Sequence, residues 1–217
     1  MNRRTKPCVL VFAGPNGSGK STVTRWAEIA GEYINADDIK RIDDISDLDA
    51  ARKAESLREL CVSRKQDFTF ETVLSTARNI ELLKKAKESG YFVKAVFVLT
   101  ADPDINVLRV KNRVEKGGHD VPRDKILSRY GRSLKLLPAL IELSDICHVY
   151  DNTENNRSFF RIFKKKDNQY YFWENSFWHK ENISSLTGIP QEKLHETPVS
   201  EHERQIAGII ENSGMTL

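Results

Sequence analysis

Short apolar runs alternate along the chain with longer stretches in which apolar positions recur every three to four residues. The runs from Val9 to Ala13 and at EYINA, DFTFET, YFVKAVFVL and ICHVYD have the length and the β-branched or aromatic content of strands. Strands separated in this way by helical segments predict a mainly parallel sheet with helices on its faces. Five strands suffice for a three-layer α/β domain.

The intervening helices carry boundary signals as well as period. One is predicted from about Lys20 to Ala30, directly after a glycine-rich turn. Ser46, with Asp49 three residues on, reads as a cap for a second, on which Leu48, Ala51, Leu57 and Leu60 share the predicted apolar face. A third runs from about Ala77 to Ser89 and stops at Gly90. Asp102 and Pro103 start a fourth, which carries Arg109 and Arg113 one turn apart until Gly117 and Gly118 break it at a predicted hinge. From Arg123 to Ser144, Ile126, Tyr130, Leu134, Leu137 and Ile141 lie on one face and Lys125, Arg129 and Arg132 on another, with Pro138 expected to kink or split the helix.

Beyond Asp151, RSFFRIF, a KKKDNQ turn and YYFWENSFW read as an antiparallel hairpin at a sheet edge that its lysines protect. Residues 181–217 hold six acids against two Lys or Arg and predict a peripheral tail, with one helix starting at Ser200 and capped with Glu203. The expected organisation is a domain over residues 1–180, with a lid at about 113–132 and the hairpin at about 157–178, followed by that tail.

Composition narrows the classes. A length of 217 residues, 30% charged and 39% hydrophobic, fits one folded domain rather than a membrane protein or a disordered chain. A net charge of +3 is too small to predict nucleic-acid binding by itself, so phosphate chemistry has to be local. Cys8, Cys61 and Cys147 are far apart in apolar runs, which predicts buried thiols rather than a disulfide framework or a zinc site. The start, MNRRTKP, meets an apolar stretch too short for a signal peptide or a membrane span, and a cytoplasmic location is expected.

The strongest chemical signal is AGPNGSGKST, residues 13–22. Gly14, four residues, then Gly19, Lys20 and Ser21 form a phosphate-binding P-loop between a strand and a helix. Asn16, Gly17, Ser18 and Gly19 let backbone N–H groups turn toward phosphates, and Lys20 reaches the β and γ oxygens. The Ser21 hydroxyl can ligate magnesium, with Thr22 beside it. No NKxD-type guanine-reading segment is evident and the chain is too short for paired helicase domains, which favours a compact kinase.

A kinase also needs a group that orients an alcohol and accepts its proton. In YINADDIKR the strand period puts Tyr33, Asn35 and Asp37 on one side, at the carboxyl edge where α/β sheets bind ligands. Asp37 is the expected base, and Asp38 the better candidate for capping the next helix. Glu71, at the end of FTFETV, occupies a comparable edge position, where it can hold a substrate hydroxyl or a magnesium-bound water. Thr72 and Ser75 follow as acceptor-site candidates that can equally be loop or capping residues.

The P-loop, INADD, FETVLST, NRVEKGGHDVP, RYGRS and YDN occur in the order seen in the zeta toxin family, which the chain resembles over about residues 8–152. That resemblance implies an ATP- and magnesium-dependent kinase whose studied relatives phosphorylate a sugar hydroxyl of UDP-N-acetylglucosamine until a partner antitoxin blocks the nucleotide site. It implies Lys20 on ATP, Asp37 as base, Glu71 on the substrate, Arg113 on the ATP phosphates and Asn152 beside the adenine. The second lid cation is left among His119, Arg129 and Arg132. Where larger family members continue with a glycine, a threonine and an arginine-bearing loop, this chain reads Thr72, Val73, Leu74 and Ser75.

Other readings stay open. The acceptor can be another metabolite, an antibiotic or a nucleic-acid end. ATP occupancy can instead order a partner surface bearing Tyr170, Phe172, Trp173 and Trp178. Arg157, Arg161 and Lys164 to Lys166 are the residue types that contact nucleic-acid phosphates.

Overall fold

A computed structural model describes residues 6–154 and 159–196. One sheet runs through the molecule. Its parallel part comprises β1 (Cys8–Ala13), β2 (Glu32–Ile34), β3 (Phe68–Thr72), β4 (Phe92–Leu99) and β5 (Ile146–Asp151). Hydrogen bonding orders these strands β2-β3-β1-β4-β5, so β1 is central and ends at Ala13, in register with Thr72 of β3 and Phe97 of β4. The carboxyl ends of the strands therefore converge around the turn that follows β1.

The sheet then extends antiparallel through β6 (Phe160–Lys166) and β7 (Gln169–Phe172), the predicted hairpin. It does not end there, because β8 (Leu194–Glu196) adds in parallel to β7. The sheet thus has eight strands, the predicted five forming its parallel part.

The helices are α1 (Lys20–Trp26), α2 (Ala36–Asp43), α3 (Asp47–Arg64), α4 (Arg78–Glu88), α5 (Pro103–Glu115), α6 (Arg123–Leu143) and α7 (Lys180–Thr187). One face of the sheet carries the larger core, in which Val9, Phe70, Val93, Phe97 and Val149 meet Ala54, Leu83, Leu137, Ile141 and Ile183 from the helices. The other face places Leu10, Phe12, Val96, Val98 and Tyr150 against Val23 of α1. Two apolar faces on one sheet give the expected three layers. Cys8, Cys61 and Cys147 are buried and not joined in disulfides.

Four expectations change in detail. First, α3 begins as predicted, with Ser46 Oγ accepting from Asp49 N, but it turns Ala50, Ala54 and Cys61 inward while Leu48 and Leu60 are exposed. The small side chains allow close helix approach, which counts for more than leucine content. Second, α6 is not split at Pro138 but runs on to Leu143, with Leu137 and Leu140 buried on either side of the proline.

Third, the hairpin lysines do not guard an edge. Lys165 is buried and donates to the carbonyls of Ile141 (2.8 Å) and Glu142 (3.0 Å), where the end of α6 leaves acceptors unsatisfied. Fourth, the segment expected to be peripheral from residue 181 joins the fold as far as residue 196: Ile183 of α7 is buried in the main core and Leu194 of β8 beside it. The helix expected from Ser200 and the hairpin residue Arg157 lie outside the described residues.

Candidate functional site: a cleft at the carboxyl edge of the sheet

The turn between β1 and α1 is shaped by glycines with no tolerance for a side chain. Gly17 and Gly19 have φ of +76° and +102°, and a Cβ on them would lie 2.5 Å from Asn106 O and 2.5 Å from Asn152 Nδ2. The neighbours that enforce this approach also brace the loop: Asn106 Nδ2 donates to Asn16 O at 2.6 Å and Asn152 Nδ2 to Ser18 O at 2.7 Å. Asn106 is fully buried and its Oδ1 accepts from Thr100 Oγ1. Its role was not legible in the sequence, since it approaches the loop from α5, 90 residues away.

The loop opens onto a cleft of about 700 Å³. At one end it is lined by Asn16, Gly17, Gly19, Lys20, Ser21, Thr22, Arg109, Arg113 and Asn152. At the other end lie Asn35, Asp37, Ala51, Arg58, Glu71 to Val73 and Asn79. Gly14 and Ser18 shape the loop from behind, Gly14 N donating to Thr72 O at 3.2 Å.

Between the two ends, the groups form a connected set. Ser21 Oγ donates to Glu71 Oε2 (3.0 Å) and Tyr33 OH to Glu71 Oε1 (2.7 Å). Asn35 Nδ2 donates to Tyr33 OH (3.0 Å), while Asn35 Oδ1 accepts from Asp37 N (2.9 Å). Burial and the hydrogen bond to Glu71 raise the Tyr33 pKa above its ordinary value, so the phenol stays a donor. Asn35 is the cap of α2, a position expected for Asp38, which instead pairs with Arg41 at 3.0 Å. With the cap taken by Asn35, Asp37 presents an exposed carboxylate to the cleft.

Lys20 Nζ donates to Pro15 O at 2.9 Å. Burial pushes its pKa down to about 8, against the opposing pull of Glu71 and Asp37, and Arg113 lowers it further. Lys20, Asp37, Glu71 and Arg113 all line the same cleft. Arg113 NH2 donates to the main-chain oxygen of His119 at 2.7 Å, turning the loop after α5 back toward the helix. The His119 side chain is exposed and does not line the cleft.

Of the other cations considered on α6, Arg129 reaches the P-loop, with NH1 3.5 Å from Asn16 Oδ1, whereas Arg132 is exposed and outside the cleft lining. Arg109 lines the cleft although the sequence distinguished it only by its spacing from Arg113. Thr72 Oγ1 accepts from Leu74 N and Asn79 Nδ2, holding the loop after β3, where Leu74 has φ +55°. Ser75 is half-buried and does not line the cleft.

Ser21 and Glu71 present hard oxygen atoms 3.0 Å apart beside the phosphate loop. Magnesium takes one or two such protein ligands and completes its shell with water and phosphate, so these residues fit it.

Comparison with known proteins agrees with this architecture. The sequence model of the Zeta toxin family matches residues 31–165. This chain belongs to the Zeta toxin family. The matched span contains Asp37, Glu71, Arg113, Arg129 and Asn152, while the P-loop precedes it. An uncharacterized protein of Haemophilus influenzae is 33% identical over 127 residues, covering 56% of this chain and 91% of that protein.

Among solved structures, the PezAT chromosomal toxin-antitoxin system of Streptococcus pneumoniae aligns with TM-score 0.55 and 17% identity, over 96% of this chain and 86% of that one. The AvrRxo1-ORF1:ORF2 complex solved with ATP aligns with TM-score 0.64 and 12% identity, over 84% of this chain. There the match spans 64% of the longer chain, just under two thirds. These likenesses establish the P-loop kinase fold of the zeta toxins for this chain.

The described residues contain no helix long and apolar enough to cross a membrane. Phe172, Trp173 and Trp178 are buried and Tyr170 stacks on Phe163, so the hairpin aromatics are packing residues. Arg161 and Lys165 are also buried, which removes them from contact with nucleic-acid phosphates.

Proposed function

We propose that this member of the Zeta toxin family is an ATP- and magnesium-dependent kinase that transfers the γ-phosphoryl group of ATP to a hydroxyl of a small molecule. The observation that carries the reading is the convergence of Lys20, Ser21, Glu71 and Asp37 on one cleft, tied together by the Ser21–Glu71–Tyr33–Asn35 hydrogen bonds.

Asp37 accepts the hydroxyl proton as the acceptor oxygen bonds to the γ-phosphorus, the bond to the β–γ bridging oxygen breaks, and ADP leaves. Lys20 and Arg113 neutralise charge on the transferring group, with Arg129 reinforcing the loop through Asn16. Magnesium, held by Ser21 with Glu71 alongside, would supply further charge neutralisation on the phosphates. Glu71 also positions the acceptor, Thr72 shapes its loop, and Asn152 stands beside the nucleotide.

The family reading favours a nucleotide-sugar acceptor such as UDP-N-acetylglucosamine and a role as a zeta-type toxin with an antitoxin partner. The toxin-antitoxin structural relative supports that direction. The loop Thr72 to Ser75 differs from that of larger family members, which keeps other metabolites in the acceptor panel. Transfer of labelled γ-phosphate tests the reading: Asp37→Asn is expected to bind ATP without transferring it, and Lys20→Ala to lose both. Undiminished transfer by Asp37→Asn would overturn the assignment of the base.

A further inference from the structure

The face of the sheet that carries α1 holds a second cluster of polar groups, away from the cleft. Tyr150 belongs to the core on that face. His148, two residues earlier on β5, points the same way by strand period and stacks on it, with ring centroids 6.1 Å apart. Arg161 of β6 is the register partner of Tyr150. Its guanidinium carbon lies 4.5 Å from the centroid of the Trp173 ring, which directly follows β7. None of these four residues lines the cleft.

The cluster is almost completely buried: His148 is 1% exposed, Arg161 2% and Trp173 4%. Yet Arg161 Nε and Nη1, Trp173 Nε1 and both ring nitrogens of His148 are enclosed without a hydrogen-bond partner. What is missing is acceptors. Guanidinium and indole nitrogens only donate, and an imidazole donates from one nitrogen, or from both once charged. The charges that act on His148 are also of one sign: Arg161, Lys164, Lys94 and Lys166 add to its burial and hold its pKa well below the ordinary value.

The Trp173 ring face attracts the Arg161 charge but accepts none of the N–H groups that point outward in the guanidinium plane. A buried cation stays costly until an acceptor, best an anionic one, meets those groups. Phosphate and carboxylate oxygens make such charge-assisted bonds, roughly twice as strong as neutral ones. We propose that His148, Arg161 and Trp173 form an oxyanion-binding site, taking a phosphate or carboxylate group, separate from the nucleotide cleft. A bound oxyanion joins three strands, β5 through His148, β6 through Arg161 and the end of β7 through Trp173. It thereby fastens the antiparallel extension to the parallel part of the sheet.

The test uses the full chain with magnesium and a non-hydrolysable ATP analogue, so that the P-loop is filled. The protein is dialysed into anion-poor buffer and then to equilibrium against inorganic phosphate or acetate, and followed by heteronuclear NMR. The chain has three tryptophans, and Trp173→Phe assigns the indole signal of Trp173. A saturable shift of that signal and of the His148 ring nitrogens is expected, with Trp26 and Trp178 little changed. A response to phosphate alone names a phosphate ligand, to acetate alone a carboxylate, and to both the shared oxyanion chemistry. An anion retained through dialysis by wild type and not by Arg161→Gln, read by ion chromatography of the denatured protein, supports the site equally.

In Arg161→Gln, half-saturation should require roughly ten- to hundredfold more anion, the loss of a charge-assisted hydrogen bond. Thermal melting and affinity for the ATP analogue verify that this variant is folded. If it does not fold, Trp173→Phe keeps an aromatic ring and removes the N–H, and should weaken the anion-induced shift at His148 several-fold. Trp173 and His148 signals unmoved by either anion in protein with no retained anion overturn the proposal. So does an unchanged half-saturation in folded Arg161→Gln or, failing that variant, in Trp173→Phe.

Discussion

The low pKa of Lys20 predicts how ATP affinity responds to pH. Burial holds the ammonium at about 8, against the ordinary 10.5. Phosphate oxygens in the cleft favour the charged form, so binding above pH 8 must be accompanied by proton uptake. With a free-protein pKa near 8 and a bound value restored toward the ordinary range, about one lysine in eleven is charged at pH 9. Apparent Kd should then be roughly five- to tenfold weaker at pH 9 than at pH 7.

The second ionisation of a phosphate, near 6, lies below this window and does not account for such a change. Isothermal titration in buffers of different ionisation enthalpy would show close to one proton taken up per ATP at pH 9 and little at pH 7. The same group makes a stability prediction of definite sign. Because the folded pKa is depressed, the unfolded chain binds the proton more tightly, and the Lys20 contribution to stability of the ATP-free protein rises between about pH 8 and the ordinary lysine range. A Kd that stays flat from pH 7 to 9 with no proton uptake would refute the electrostatic reasoning about this cleft.

Three further outcomes follow from the geometry. Asp37→Asn should lower kcat by about a hundred- to ten-thousandfold, the usual contribution of a general base, with ATP affinity within about twofold of wild type; rapid-quench transfer and nucleotide binding check the split. Tyr33→Phe removes the phenol that donates to Glu71 at 2.7 Å and should reduce stability by about 1 kcal/mol in urea unfolding, while raising the acceptor KM more than the ATP Kd. Gly19→Ala puts a Cβ 2.5 Å from Asn152 Nδ2 at φ +102°; fluorescence titration should show ATP affinity reduced roughly five- to hundredfold, from about 1–3 kcal/mol of strain.

Much of the fold could be read from local pattern. The strand lengths, the cap at Ser46, the Asp102–Pro103 start of α5 and the hairpin are all signals spanning a few residues, and local signals survive without knowledge of tertiary contacts. The inward face of α3 was not legible, because leucine content suggests one face while the approach of neighbouring helices selects Ala50 and Ala54. Nor was β8, three residues long, whose strand identity comes from pairing with β7.

The site shows the same division. The P-loop announces itself in sequence because its glycines answer to their own backbone. Glu71 could be placed at the sheet edge from its strand end, whereas Asp37, expected on the strand beside Tyr33 and Asn35, lies in the first turn of α2 because β2 ends at Ile34 and Asn35 caps the helix. Their connection through Tyr33 and Asn35 depends on a contact across 38 residues, while Asn106 braces the P-loop and Arg58 lines the cleft from helices whose sequence gives no sign of what they face.

The most direct measurement of the central claim is mass spectrometry of the protein incubated with ATP, magnesium, UDP-sugars and a metabolite extract, beside Lys20→Ala and Asp37→Asn. The account predicts that one acceptor gains a single phosphoryl mass with wild-type protein and with neither variant. Tight ATP binding by the wild type with no phosphorylated product, or the same product formed by Asp37→Asn at an undiminished rate, would contradict it.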